Sequence, residues 1–135
     1  MVTPEVLRKY RGKSIAYLED KAQDAVNKFV RKRDSINNFF VCISCQELKP
    51  INQMNAGHYY AKEFYKSVRY DLNNVNGQCV RCNKYLSGNL IEYRKNLLEK
   101  IGEENLKQLD KLAELKNFRF TREFLIELIE KYKNI

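Results

Sequence analysis

Between Ser14 and Asp34 the apolar residues Ile15, Leu18, Ala22, Ala25, Val26, Phe29 and Val30 recur at the helical period. Lys21, Lys28, Lys32 and Arg33 fall on other faces, so one long amphipathic helix is predicted here. A shorter helix precedes it. Thr3-Pro4-Glu5 supplies an N-cap, a proline at the first helical position and an acid near the positive end of the dipole. Phe39 to Ile51 breaks the period and reads as a strand, a knuckle and a turn; Pro50 and Asn52 then punctuate the chain before Gly57-His58-Tyr59-Tyr60. The helical period returns from Ser87 to Ile101, where Gly102 stops it as a C′ residue. A further helix is predicted over about 103–116. A last one begins after Thr121, with Phe124, Leu125, Leu128, Ile129 and Tyr132 on its apolar side. The pattern predicts an α+β, mainly helical chain. It forms a single domain over 1–135, with a helical arm (1–36), a compact finger (37–90) and C-terminal helices (91–135). A chain of 135 residues buries only a modest core.

Four cysteines supply what the core lacks. They stand as Cys42-x2-Cys45-x33-Cys79-x2-Cys82. Two intervening residues let both sulfurs of each knuckle face inward, so four thiolates meet one tetrahedral Zn²⁺ at about 2.3 Å. Four sulfur ligands leave no position for an activated water, so this zinc is expected to be structural, one per chain, clamping the strand-turn near Cys42 to the helix start near Cys82. A catalytic metal would have to be a second one. No run of about 18 apolar residues occurs and no leader-like apolar segment opens the chain. A cytoplasmic location without membrane attachment is therefore expected, where thiols stay reduced and zinc outranks disulfides.

Charge points to a polyanion. Lys and Arg number 25 against 17 Asp and Glu, a net charge of +8 with a pI near 9.3. The excess lies in the first two thirds: nine basic against five acidic residues over 1–40, six against three over 41–90, and ten against nine over 91–135. Neutralised phosphates release counterions, so DNA is the expected partner, although a solvated basic surface has the same composition. The balanced amphipathic tail suits packing against the first helices or a homodimer contact; a two-fold junction would suit a symmetric dimer.

His58 is the only histidine. A neutral imidazole is suited to taking a proton from water at neutral pH, which makes His58 the candidate general base. Asn74 lies five residues before Cys79 and Asn83 directly follows Cys82, nine residues further on. Asparagine also forms turns on its own account, and only the register to Cys79 favours Asn74 over Asn73 and Asn76. This order of Gly57-His58, Asn74 and Cys82-Asn83 between and beside two knuckles resembles a ββα-metal, or HNH-type, nuclease finger.

The chain also resembles a specific family, the phage lambda NinG (Rap) recombination endonucleases. The likeness runs through Lys21-Ala22-Gln23, Val30 to Asp34, Cys42-Ile43-Ser44-Cys45, Ala56-Gly57-His58-Tyr59, Val68-Arg69-Tyr70, Asn76-Gly77-Gln78-Cys79, Cys82-Asn83, Ser87-Gly88-Asn89, Tyr93-Arg94 and Ile101-Gly102. It implies a Mg²⁺- or Mn²⁺-dependent endonuclease that cuts branched recombination intermediates such as Holliday junctions and D-loops. His58, Asn74 and Asn83 would carry the reaction, with the cation near Asn83. Many HNH fingers have an acid or a histidine where this chain has Gly57. The cation is therefore expected to be held by asparagine, phosphate oxygens and water, with Asn89 or Asp71 as further candidate ligands. Arg69, Lys62, Lys66, Arg31, Lys32 and Arg33 are the expected phosphate contacts. Tyr59, Tyr60, Phe64, Tyr65 and Tyr70 cluster beside His58; most should be core, with Tyr65 and Lys66 the expected exceptions at the DNA. A non-catalytic zinc module that binds DNA or RNA would need the same cysteines and charge but would have no use for His58.

Overall fold

The computed structural model describes residues 2–135. Helix α1 (Pro4–Lys9) is capped by Thr3 Oγ1, which accepts from Val6 N, and α2 (Ile15–Arg33) by Ser14 Oγ, which accepts from Tyr17 N at 3.0 Å. The tail folds as α3 (Leu90–Ile101), α4 (Glu103–Ala113) and α5 (Arg122–Tyr132), the last capped by Thr121 Oγ1. Gly102 breaks α3 from α4 with φ +85°, a conformation L side chains resist. Helix α3 begins at Leu90 rather than Ser87 because Ser87, Gly88 and Asn89 all have positive φ and cannot join a right-handed helix.

Two small sheets lie between the helices. Strands β1 (Ser35–Ile36), β2 (Phe39–Val41) and β3 (Leu48–Pro50) form one antiparallel sheet, its first turn made by Asn37 and Asn38 at φ +52° and +69°. Strands β4 (Met54–His58) and β5 (Val75–Cys79) form the other, in a register that runs from Met54 opposite Cys79 to His58 opposite Val75. One wide helical turn, Arg81–Tyr85, follows β5. The finger is thus strand, strand and helical turn, with a shorter helix than the sequence suggests.

Helix α2 organises the larger core. Its Leu18, Ala22, Val26 and Val30 are fully buried against Leu125, Ile126 and Ile129 of α5 and Val75 of β5. Each leucine, valine or isoleucine among them removed from water contributes about 1.5–3 kcal/mol. Leu125, Ile126 and Ile129 of α5 therefore pack on α2, as expected of packing against the first helices, while Phe124 of the same face stays partly exposed. A second cluster joins Ile43 and Val68 to Tyr93 and Leu97 of α3 and to Leu106, Leu109 and Ala113 of α4. The third is small and consists of Phe40, Met54 and three of the cysteines. None of the described helices is long and apolar enough to cross a membrane.

Candidate functional site

Two sites share the β4–β5 ribbon, one at each end. At the Met54–Cys79 end the four thiols of Cys42, Cys45, Cys79 and Cys82 lie within 4.8 Å of one another, and Cys45 Sγ is 3.9 Å from Cys79 Sγ. Tetrahedral zinc with bonds of about 2.3 Å requires sulfurs about 3.8 Å apart, so the donor set fits that ion. Backbone N–H groups of Cys79 and Cys82 point at Cys42 Sγ (3.3 Å) and Cys79 Sγ (3.4 Å), and Asn89 Nδ2 points at Cys82 Sγ (3.5 Å). Such donors stabilise thiolates. Asn89 is held by the cysteine cluster and does not line the cavity beside His58, contrary to its expected place on a catalytic cation. Asp71 likewise turns onto its own backbone, accepting from Asn73 N at 2.9 Å.

At the other end, His58 is the last residue of β4. Its Nε2 is 2.9 Å from the carbonyl oxygen of Arg69. A carbonyl only accepts, so Nε2 carries the proton and Nδ1 keeps a free lone pair. Burial, with the nearby cations Lys62 and Arg69, pulls the pKa down from 6.5 to about 4, against the opposing hydrogen bond to Arg69. The ring is therefore neutral at pH 7.

Three buried groups hold that end of the strand. Asn74 is fully buried: its Oδ1 accepts from Tyr60 N at 2.8 Å, and its Nδ2 donates to Tyr60 O at 3.1 Å and to Val68 O at 3.0 Å. It closes the loop over residues 59–74 and so fixes the Arg69 carbonyl relative to the imidazole. Tyr93, on α3, donates its hydroxyl to Gly57 O at 2.6 Å and accepts from Asn76 Nδ2 at 3.2 Å. Gly57 itself has a steric reason: a Cβ there would run into the side chain of fully buried Gln78. Strand packing, and not metal chemistry, accounts for glycine where an acid or histidine was the alternative. The Gln78 Oε1 that occupies this space has no hydrogen-bond partner, while its Nε2 donates to Ser44 Oγ and Gly88 O.

A cavity of about 340 Å³ opens beside His58. Asn83, Lys62, Glu63, Asn27 and Ser87 share its walls. The structure thus brings His58, Asn83 and Lys62 together and keeps Asn74 beneath them as a buried brace. Glu63 and Asn27 were not visible in the sequence as site residues. Glu63 supplies the carboxylate of the wall among the described residues, and Asn27 arrives from α2 with its Oδ1 accepting from Gln23 Nε2 at 2.8 Å. Lys62 and its neighbour Lys66 are exposed.

The expected phosphate contacts divide. Arg69 is mostly buried: its Nε donates to Gln23 Oε1 at 2.9 Å, a guanidinium nitrogen lies 3.8 Å from Asp20, and the group sits over the Tyr70 ring. Its backbone carbonyl holds the imidazole, while its guanidinium, engaged by Gln23 and Asp20, does not line the cavity. Arg31 donates to the carbonyls of Met54 and Ile51, and Arg33 to those of Leu72 and Val75 and to Asn76 Oδ1. These backbone acceptors need donors where α2 crosses the ribbon, so both arginines hold the finger to the helix. Lys32 remains exposed at the end of α2. Among the aromatics, Tyr59, Tyr60 and Tyr65 pack on the second core and Tyr70 is buried in the first. Tyr65 is thus not the exposed one; its neighbour Phe64 is, at 81%.

Residues 5–135 match the family model described as bacteriophage lambda NinG protein. Proteins named ninG from three phages are similar to the chain: 39% identity over 104 residues with that of Escherichia phage 933W (77% of this chain, 50% of the relative), 38% over 117 residues with that of Salmonella phage P22 (87% and 55%), and 38% over 104 residues with that of Escherichia phage lambda (77% and 49%). The chain spans about half the length of these curated relatives. No solved structure matches it.

Proposed function

The chain belongs to the NinG family, and from that premise together with the His58 cavity we propose that it is a metal-dependent endonuclease cutting phosphodiester bonds in branched DNA such as Holliday junctions and D-loops. The observation that carries this reading is the pinned imidazole: Nε2–H is fixed on the Arg69 carbonyl, and the ring stands on the wall of a cavity shared with Asn83, Glu63 and Lys62. In this reading the free Nδ1 of His58 takes a proton from the attacking water, and its depressed pKa keeps that lone pair available throughout the neutral range. Lys62 binds a non-bridging phosphate oxygen and orients the phosphorus for in-line attack. Asn74 and Tyr93 act as positioning residues, since each touches the backbone around His58 and neither meets the substrate.

Mg²⁺ or Mn²⁺ suits a cavity that offers the oxygens of Asn83 and Glu63 and room for water. When bound, such a cation neutralises charge on the phosphoryl and leaving oxygens. The cysteine site is read as a structural zinc whose work is to hold β2, β5 and the helical turn together. End-labelled four-way junction, D-loop and linear duplex incubated with zinc-loaded protein and Mg²⁺ test the proposal. Cutting confined to branched DNA and lowered at least about 100-fold by His58→Ala is expected. Tight junction binding by both proteins with no cutting by either would instead support a zinc-stabilised DNA-binding module.

A further inference from the structure

Phe64 is the most exposed of the large apolar side chains described, at 81%. A loose loop does not account for it. Phe64 N and Tyr65 N both donate to Ala61 O (3.1 and 2.9 Å), the Tyr65 ring packs on Tyr60 with centroids 4.9 Å apart, and Asn74 grips both backbone groups of Tyr60. A fixed loop therefore holds a phenyl ring out in water, where its apolar surface costs free energy unless something covers it.

The surroundings identify what could cover it. Lys62 and Lys66, two residues before and after Phe64 in the chain, are exposed, and Lys66 shares a groove with the ring. This groove runs towards the segment between α4 and α5, and Lys66, Lys116 and Arg119 line it. Glu63 lies on the walls of both this groove and the His58 cavity, so the two are adjoining. Glu19 is the other carboxylate of the groove, and a polyanion would track the cationic side. An aromatic face among cations is a stacking platform for single-stranded nucleic acid, whose every base has a π-face. A continuous duplex offers no free base face, whereas the displaced strand of a D-loop or a branch point opened to unpaired bases does.

We propose that Phe64 stacks on an unpaired DNA base at a branch point while Lys66, Lys116 and Arg119 hold the adjoining phosphates, so that this loop selects branched over linear DNA. The inference rests on the DNA-cutting reading for the direction in which the strand leaves the His58 cavity. It extends that reading by naming the residue that recognises the branch.

The chain has no tryptophan, so Phe64→Trp installs a single selectively excited indole at the tip of the loop. Binding is measured with Ca²⁺ in place of Mg²⁺, using a four-way junction that carries unpaired bases at its centre and a duplex of the same arm sequence. The expected result is indole emission quenched by the junction and not by the duplex. Phe64→Ala should bind the junction on the order of tenfold more weakly than wild type, and Phe64→Trp should bind it as wild type does. Emission that stays unchanged while the junction is bound, or wild-type junction affinity in Phe64→Ala, overturns the inference; so does a lack of junction binding by the wild type. Cutting by the wild type with Mg²⁺ is scored separately. Quenching without cutting would remove the nuclease reading alone, and cutting without quenching would remove the stacking alone.

Discussion

The two ends of the β4–β5 ribbon are secured by different chemistry. At Met54 and Cys79 the anchor is four thiols gathered from two knuckles, a set that fits one metal ion. At His58 and Val75 the anchor is a group of neutral hydrogen bonds from Asn74, Tyr93 and the Arg69 carbonyl. A thiolate cluster with four sulfur ligands contributes stability and has no coordination position for water. Neutral donors and acceptors contribute less, but they leave the imidazole uncharged with one nitrogen free. The strand that joins the ends passes the rigidity of the first to the second.

The comparison breaks most strongly at the cysteine end. Stripping zinc with a chelator, or Cys79→Ser, should unfold the finger over about 40–90, because metal binding in such sites carries on the order of 10 kcal/mol of folding free energy. Metal analysis and far-ultraviolet circular dichroism report it. Loss of zinc without loss of structure would mean that the two cores suffice alone.

Between the ends, Gly57→Ala places a methyl group against the Gln78 side chain and should cost about 3 kcal/mol, read as a lower denaturation midpoint. Gln78→Ala in the same chain should restore part of that loss, since it empties the contested space.

At the His58 end the effects are smaller and of a different kind. The histidine resists protonation in the native state until about pH 4, whereas the unfolded chain takes up its proton near 6.5. The unfolded state therefore binds more protons between those values, and stability must fall as the pH drops from about 6.5 to 4. The loss through this one group is about 2–3 kcal/mol, and His58→Asn should flatten that part of the denaturation profile. Asn74→Ala removes three hydrogen bonds and leaves the Tyr60 N–H buried without its acceptor; it should cost about 2 kcal/mol. Any cutting activity should fall further than that, because the Arg69 carbonyl would no longer be held opposite the imidazole.

The same division separates what could be read in the chain from what could not. Local signals were sufficient for the Thr3 cap, for helix starts at Ser14 and after Thr121, and for the stop at Gly102, because each depends on neighbours within a few residues. The cysteine cluster was legible because two short spacings carry its geometry. Strands β1 to β3 were harder, being only two or three residues long. The early start expected for α3 failed on three consecutive residues with positive φ, of which Gly88 alone gave a sign. The arginines misled for a tertiary reason: the carbonyls that engage Arg31 and Arg33 come from segments about 20 to 42 residues away, and the partner of Arg69, Gln23, is 46 residues away. Glu63 and Phe64 carried no pattern of their own, and only the folded loop shows that one faces the cavity and the other the solvent.

Because His58 is the only histidine, its imidazole nitrogens give unambiguous signals in a ¹⁵N-labelled sample. Their shifts, followed from pH 8 downwards in zinc-loaded protein, report both the tautomer and the titration. A protonated Nε2 with a bare Nδ1, and a midpoint near 4, is the result predicted by a base pinned on the Arg69 carbonyl. A proton on Nδ1 at neutral pH, or a midpoint at or above 6.5, would contradict it.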